Sequence, residues 1–333
     1  LILAAQSLQS GQITVGDFSL LAAYLSWLAT VMGMVGGYVT RYQQVGVSLQ
    51  RAVELLQGAL AGLLVQHDAD VRMRGALPAL AAPAHNQRNA LETLRVSGLS
   101  YRYPSSGQGI EDMNFSIERG QFVVVTGRIG SGKSTMLRAL LGLLTPQAGE
   151  VCWNERRVND LGTFMVPPHV AYTPQVPRLF SETLRDNLLM GMSAGEGSGD
   201  ERLEAALHQA VLERDVPRLE HGLETRVGPR GVRLSGGQVQ RAAAARMFVR
   251  RADLLVFDDL SSALDVETER LLWERLSSQQ SAVSSQQSAD DPLPAADCQL
   301  PTILAVSHRR VALQRADWII VLKNGRVAAQ GRL

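Results

Sequence analysis

Nine consecutive residues, Gly127-Arg128-Ile129-Gly130-Ser131-Gly132-Lys133-Ser134-Thr135, constrain this chain more than any other stretch. They fit the pattern G-x-x-x-x-G-K-[ST], a loop whose backbone wraps the phosphates of a nucleotide. The residue types follow from that task. Gly127, Gly130 and Gly132 permit a tight turn and bring N–H groups up to phosphate oxygens with no Cβ in the way. Lys133 reaches the outer phosphates, and the Ser134 hydroxyl is suited to hold Mg2+. The preceding run, Gln121 to Thr126, is β-branched and aromatic and reads as a buried strand. The following run, Met136 to Leu143, reads as a helix whose positive N-terminal end faces the anion. Strand, glycine loop and helix in that order is the context the motif requires.

A length of 333 residues suggests two domains, each able to build its own core. The formal net charge of +1 points to neither nucleic acid nor an acidic partner as the main ligand. Cys152 and Cys298 lie far apart and outside any metal-like spacing, as indifferent thiols of a reducing compartment do. The sequence starts at Leu1 inside an apolar run with no basic segment before it, which reads as the tail of something longer rather than a signal peptide.

Phe18 to Thr40 is 23 residues without a charged side chain. About 20 such residues cross the hydrocarbon layer as a helix. A buried helix of a soluble core satisfies the same composition. Gly33, Gly36 and Gly37 with Ala22, Ala23 and Ala29 suit close helix packing in a membrane, and Arg41 and Arg51 put the C-terminal end on the cytoplasmic side. Leu1 to Ala5 then reads as the stub of a previous span and Gln6 to Asp17 as a short outer loop. Arg41 to about Gln66 reads as the helix running on into the cytoplasm. The resulting division is a membrane part over 1–66 (span about 18–40, extension 41–66), a linker with Pro78 and Pro83 over 67–90, and a second domain over 91–333.

In that second domain Leu94–Val96, Leu99–Tyr103 and Met113–Ile117 look like strands, and strands and helices alternate to the end, the pattern of an α/β nucleotide-binding fold. Residues 277–301, rich in Ser, Gln, Ala, Asp and Pro, look like a flexible insertion, with a shorter break at Ser193 to Asp200. Leu254 to Asp259 is an apolar strand ending in two carboxylates. Asp258 is placed to hold Mg2+, and Asp259 to lie beside an attacking water. Upstream, Leu234-Ser235-Gly236-Gly237-Gln238 opens a helix, Val239 to Arg250, and offers a second anion site. Two phosphate-binding helix starts serve one nucleotide only if two such domains meet head to tail.

With these motifs in this order, the sequence resembles the nucleotide-binding domains of ATP-binding cassette (ABC) transporters over roughly Leu94 to Leu333. The fold class so implied is an α/β P-loop cassette with a helical signature subdomain, preceded by an all-α transmembrane segment like the last helix of an exporter-type half-transporter. The resemblance implies roles residue by residue. Leu234 to Gln238 is the family signature, Gln175 the glutamine loop that senses Mg2+, Ser262 to Asp265 the loop joining two subunits, and His308 the switch histidine that contacts the γ-phosphate. Tyr103 is placed like the residue that stacks on adenine, with Tyr101 a near competitor. The implied cofactors are ATP and Mg2+, the latter on Ser134, Gln175 and Asp258. The implied activity is ATP hydrolysis coupled to export. The implied partners are a second half-transporter (the same chain or a different one), the lipid of a plasma membrane and the missing transmembrane helices of a multi-pass chain, with the cassette cytoplasmic. The chain departs from the family in three ways, the first being that most of the membrane domain is not in this sequence. Asp259 stands where the family usually has a catalytic Glu, which opens the alternative of an attenuated gating subunit. Arg226 stands where exporters usually carry an acid. A non-transport cassette ATPase is the remaining alternative, and the uncharged span argues against it.

Overall fold

In the computed structural model, residues 6, 9–12, 14–56, 61–65, 90–190, 192, 199–285 and 301–333 are described, and the chain divides into two units, Leu1–Leu80 and Ala81–Leu333. The first unit is dominated by α1 (Val15–Leu55), 41 residues long. It starts with a capping box. Thr14 Oγ1 accepts from the Asp17 N–H at 3.2 Å, and Asp17 Oδ2 accepts from the Thr14 N–H at 3.0 Å. The helix therefore begins inside the stretch expected to be an outer loop and runs through the uncharged span without a break. At about 1.5 Å per residue it is roughly 60 Å long, twice the ~30 Å hydrocarbon layer. None of its residues is buried, and Trp27 and Tyr38 are 66% and 69% exposed. The hydroxyls of Ser19, Thr30, Thr40 and Ser48 donate to carbonyls one turn back at 2.9–3.1 Å, so these polar groups are satisfied within the helix. Among the described residues this is the one helix long and apolar enough to cross a membrane. Leu1 to Ala5 and most of the expected linker lie outside the described residues.

The second unit holds two sheets. β1 (Thr93–Arg102), β2 (Gly109–Glu118), β4 (Ala148–Trp153) and β5 (Arg156–Arg157) form an antiparallel sheet in the order β2-β1-β4-β5. The two strands expected at 94–96 and 99–103 are one strand with a shifted register between Val96 and Leu99. The irregularity falls at Gly98, whose φ is +64°, and such a residue bends a strand without ending it. The second sheet has six strands in the order β10-β9-β3-β8-β7-β6. These are β3 (Phe122–Thr126), β6 (Val170–Thr173), β7 (Leu254–Asp258), β8 (Thr302–Val306), β9 (Trp318–Lys323) and β10 (Arg326–Gly331). All pairings are parallel except the β9–β10 hairpin at the edge.

The sequence of β3, β7 and β8 explains why they sit in the middle. Each is apolar on both faces, and alternate residues go to separate cores. Phe122 and Val124, Leu255 and Phe257, and Ile303 and Ala305 face one cluster, which includes the helices α6 (Gly236–Val249) and α7 (Val266–Ser285). Val123 and Val125, Leu254 and Val256, and Leu304 and Val306 face the other, with α2 (Lys133–Leu140) and the antiparallel sheet. Each such Val, Leu, Ile or Phe side chain, fully buried, contributes about 1.5–3 kcal/mol. Short helices α3 (Leu161–Phe164), α4 (Leu184–Leu189), α5 (Gly199–Gln209) and α8 (Arg310–Arg315) complete the unit. Helix α7 takes in Ser277–Ser285, so the start of the expected insertion is helical; residues 286–300 lie outside the described residues, as do 193–198 in the shorter break. The run carries no Pro or Gly before Pro292, which lets the helix propagate through its serines and glutamines.

Candidate active site

Parallel strands deliver their ends to one edge, and the register of this sheet fixes which residues meet there. Val125 pairs with Val306, Asp258 with Val306, and Thr173 with Phe257. The segments that leave β3, β7, β8 and β6 at that edge carry the glycine loop, Asp259, His308 and Gln175, respectively. The carboxyl edge of a parallel sheet is where ligands bind in such folds.

The glycine loop occupies its place because its φ angles require glycine. Gly127 has φ +143°, and a Cβ there would lie 2.2 Å from the carbonyl oxygen of Leu322 on β9. Gly132 caps α2 with φ +98°. The hairpin turn Asn324-Gly325 braces the loop from the side, the Gly325 N–H donating to Ser131 O at 3.1 Å. Lys133 is 9% exposed and donates to Gly127 O and Arg128 O at 2.8 and 2.9 Å. Burial pulls its ammonium below the ordinary lysine range, and the charges of Asp258 and Asp259 oppose that. An ammonium has three N–H groups, so one remains for a ligand oxygen. Ile129, at the loop tip, is 99% exposed.

Asp258 is 2% exposed at the end of β7, and its Oδ1 accepts from Ser134 Oγ at 3.1 Å. Its Oδ2 is buried and has no hydrogen-bond partner among the described residues. Burial pushes the carboxyl up; the Ser134 hydrogen bond and the charge of Arg138 pull it back. A buried carboxylate oxygen without a partner, next to a hydroxyl and facing a phosphate loop, fits the sparse oxygen set of Mg2+, which keeps waters and takes phosphate oxygens. Asp259 is half-buried with φ +55°, its N–H donating to Val306 O at 3.1 Å. Gln175 Nε2 donates to Asp259 Oδ2 at 3.4 Å, so the glutamine meets the second carboxylate rather than Asp258.

His308 is exposed just past the end of β8. Tyr103 sits in the β1–β2 turn, its N–H donating to Gln108 O, and the returning strand passes the loop where Ile110 faces Gly132. Tyr101 is half-buried against the core and meets Tyr103, also half-buried, edge-on at 5.0 Å; Tyr103 is not among the residues that pack on that core. The signature is elsewhere. Ser235 caps α6 in a capping box with Gln238, and Gln238 Nε2 donates to Asp215, which also pairs with Arg241 at 2.7 Å. The helix begins at Gly236, three residues before the expected start, because the glycines themselves form its first turn. Among the described residues no hydrogen bond joins Ser235–Gln238 to the glycine loop; Ser235 and Gly236 are exposed. Arg226, in the loop before the signature, is exposed and lies 3.8 Å from Glu182.

Three features at this edge escape a reading by motif. The Tyr172 hydroxyl is buried, and that burial, with the charge of Asp258, pushes its phenol up. Arg138 acts on Asp258 from α2. Gln240, 4% exposed, donates to Gln175 O at 3.5 Å and accepts from the Ala263 N–H at 3.2 Å, tying the glutamine loop to the loop after β7. Asn324-Gly325 does carry a sequence signal, the strongest short hairpin dipeptide.

A glycine-loop lysine and serine, a buried strand-end aspartate and a helical subdomain opened by an exposed signature turn define a P-loop ATP-binding cassette. Residues 110–262 match the ABC transporter family model. The lipid A-core flippase of Pseudomonas fluorescens is 31% identical over 303 residues, 91% of this chain and 45% of that protein. A sophorolipid transporter of Starmerella bombicola is 31% identical over 92% of this chain and 23% of its own length. A probable multidrug resistance ABC transporter ATP-binding/permease protein of Bacillus subtilis is 27% identical over 96% and 48%. Among solved structures, a bacterial Atm1-family ABC exporter with ATP bound superposes with a TM-score of 0.63 at 26% identity, covering 99% of this chain and 52% of the other. The chain belongs to the ABC transporter family, in the exporter-type arrangement of an apolar helix followed by a cassette. It spans about half the length of the flippase, the multidrug resistance protein and the solved exporter, and 23% of the sophorolipid transporter.

Proposed function

We propose that this chain is the C-terminal part of an ABC exporter half-transporter, with residues 1–66 ending its transmembrane domain, 67–90 linking and 91–333 forming the cassette. The cassette hydrolyses ATP to ADP and phosphate and drives export. The observation that carries this reading is the assembly, at one sheet edge, of the glycine loop, the Ser134–Asp258 pair, the Asp259–Gln175 pair and His308. Loop N–H groups and Lys133 hold the phosphates, and Tyr103 takes the base. Ser134, Asp258 and Gln175 would hold Mg2+, which would neutralise charge on the phosphate oxygens. Asp259 orients the attacking water and His308 contacts the terminal phosphate. The exposed Ser235–Gln238 turn completes the site of a second half-transporter's cassette, so two cassettes share two ATP. The chain resides in a plasma membrane with the cassette on the cytoplasmic side. Relatives named for a sophorolipid and for lipid A core make amphiphilic glycolipids the first substrates to try.

Asp259 favours a second reading, an attenuated subunit that binds ATP and works beside a stronger partner. Its side chain is one methylene shorter than Glu, and its oxygen lies against Gln175 at 3.4 Å. Binding of ATP to the purified chain with and without Mg2+, by calorimetry, tests both readings, with Lys133→Ala as reference. Mg2+-dependent binding lost in Lys133→Ala supports them, and binding indifferent to Lys133 overturns both. Release of the wild-type chain from membranes by alkaline carbonate would overturn the membrane assignment and favour a cassette acting outside membranes.

A further inference from the structure

His308 lies between two anchored residues. On one side Ser307 is 1% exposed, and its N–H donates to Val125 O on β3 at 3.1 Å. On the other, the Arg309 N–H donates to Ser307 Oγ at 3.1 Å. The Arg309 guanidinium lies 3.2 Å from Glu269 Oε2 and reaches Leu264 O at 3.5 Å. Glu269 is 1% exposed and lies one turn past Asp265, which accepts the Thr268 N–H at 2.9 Å and starts α7. A carboxylate this deeply buried is kept where it is paired, and an arginine fork holds direction as well as charge. Arg309 thus joins three segments: the loop carrying His308, the loop at 260–264 and the first turn of α7.

We propose that Arg309, clamped by Glu269, is a positioning residue that holds His308 toward the terminal phosphate and ties that placement to the loop at 260–264. This rests on the reading of His308 as the phosphate contact. Arg315 offers an internal control. Its guanidinium pairs with Glu274 at 3.0 Å and ties α8 to the same helix α7, yet it lies seven residues from His308 and touches neither loop through that pair. A purely structural role for Arg309 predicts similar consequences for both pairs.

The test is the ratio of Mg–ATP to Mg–ADP affinity, because ADP lacks the phosphate His308 contacts. It is measured on the full chain in lipid nanodiscs for wild type, His308→Ala, Arg309→Ala, the double variant and Arg315→Ala. His308→Ala should lower the ratio by about tenfold, the size of one hydrogen bond to a charged oxygen. Arg309→Ala should lower it by a similar factor, the double variant no further, and Arg315→Ala not at all. Arg309→Ala leaves Glu269 unpaired, so the pair Glu269→Gln with Arg309→Gln, which buries no charge, replaces it if folding fails. A ratio that falls in His308→Ala but stays at the wild-type value when the Arg309–Glu269 pair is broken overturns the inference alone. Additive losses, or an equal loss in Arg315→Ala, also overturn it. A wild-type ratio in His308→Ala removes the role of His308 itself and the inference with it.

Discussion

Asp258→Asn should separate what this site costs the fold from what it does. Asp258 is 2% exposed, its Oδ2 has no partner among the described residues, and burial raises its carboxyl. An unsatisfied buried polar group costs about 1–3 kcal/mol, and the charges of Arg138 and Lys133 offset part of that here. Asn keeps the shape and still offers an oxygen to Ser134. Without nucleotide the variant should therefore be more stable by about 1 kcal/mol, or about 2–4 °C in Tm for a unit of this size. The sign with pH follows. A carboxyl raised by burial is a cost above its folded pKa that disappears as pH falls through it, so the gap between variant and wild type should close in acid. With Mg–ATP at a hundred times Kd, wild type gains about 2.7 kcal/mol, and the variant should gain little of it. Melting followed by Trp153 and Trp273, both buried, reads all of this. A variant that melts below wild type without nucleotide, or that gains as much from Mg–ATP, would refute the reasoning.

Other substitutions test neighbouring parts of the account. Asp259→Glu should raise ATP turnover by about tenfold or more, since displacement of a catalytic group by ~1 Å can cost a hundredfold; steady-state phosphate release measures it. The same change should lower Tm slightly, because φ is +55° and Glu tolerates that region less well than Asp. Gly127→Ala, with a Cβ 2.2 Å from Leu322 O at φ +143°, should destabilise the cassette by about 1–3 kcal/mol and abolish nucleotide binding, as melting and calorimetry would show. Arg241→Ala leaves Asp215 without its 2.7 Å partner, both side chains being 12% exposed, and should cost about 3–5 kcal/mol in a denaturant melt.

The parts legible in the sequence are those where chemistry restricts the residue type. A phosphate cradle needs glycine where the backbone turns at positive φ, and β3, β7 and β8 must be apolar on both faces. The lysine is informative in the same way. The chain has only two lysines, Lys133 and Lys323, among 33 Lys and Arg, and one of them stands where a compact ammonium folds back onto the loop carbonyls of Gly127 and Arg128. What was not legible acts across the fold. Nothing local to Gln240 says that it bridges Gln175 and Ala263, and nothing near Tyr172 or Arg138 says that they surround Asp258. The composition of 277–301 suggested a loop over Ser277–Ser285, where the chain simply continues α7. The start of α1 is marked by the capping-box spacing of Thr14 and Asp17, a local signal that the uncharged run beginning at Phe18 does not include.

The measurement closest to the central claim is ATP turnover by the full chain in lipid nanodiscs, wild type beside Lys133→Ala and Asp259→Glu. The account predicts Mg2+-dependent phosphate release in wild type, none in Lys133→Ala, and faster release in Asp259→Glu. Release that persists unchanged in Lys133→Ala would contradict it.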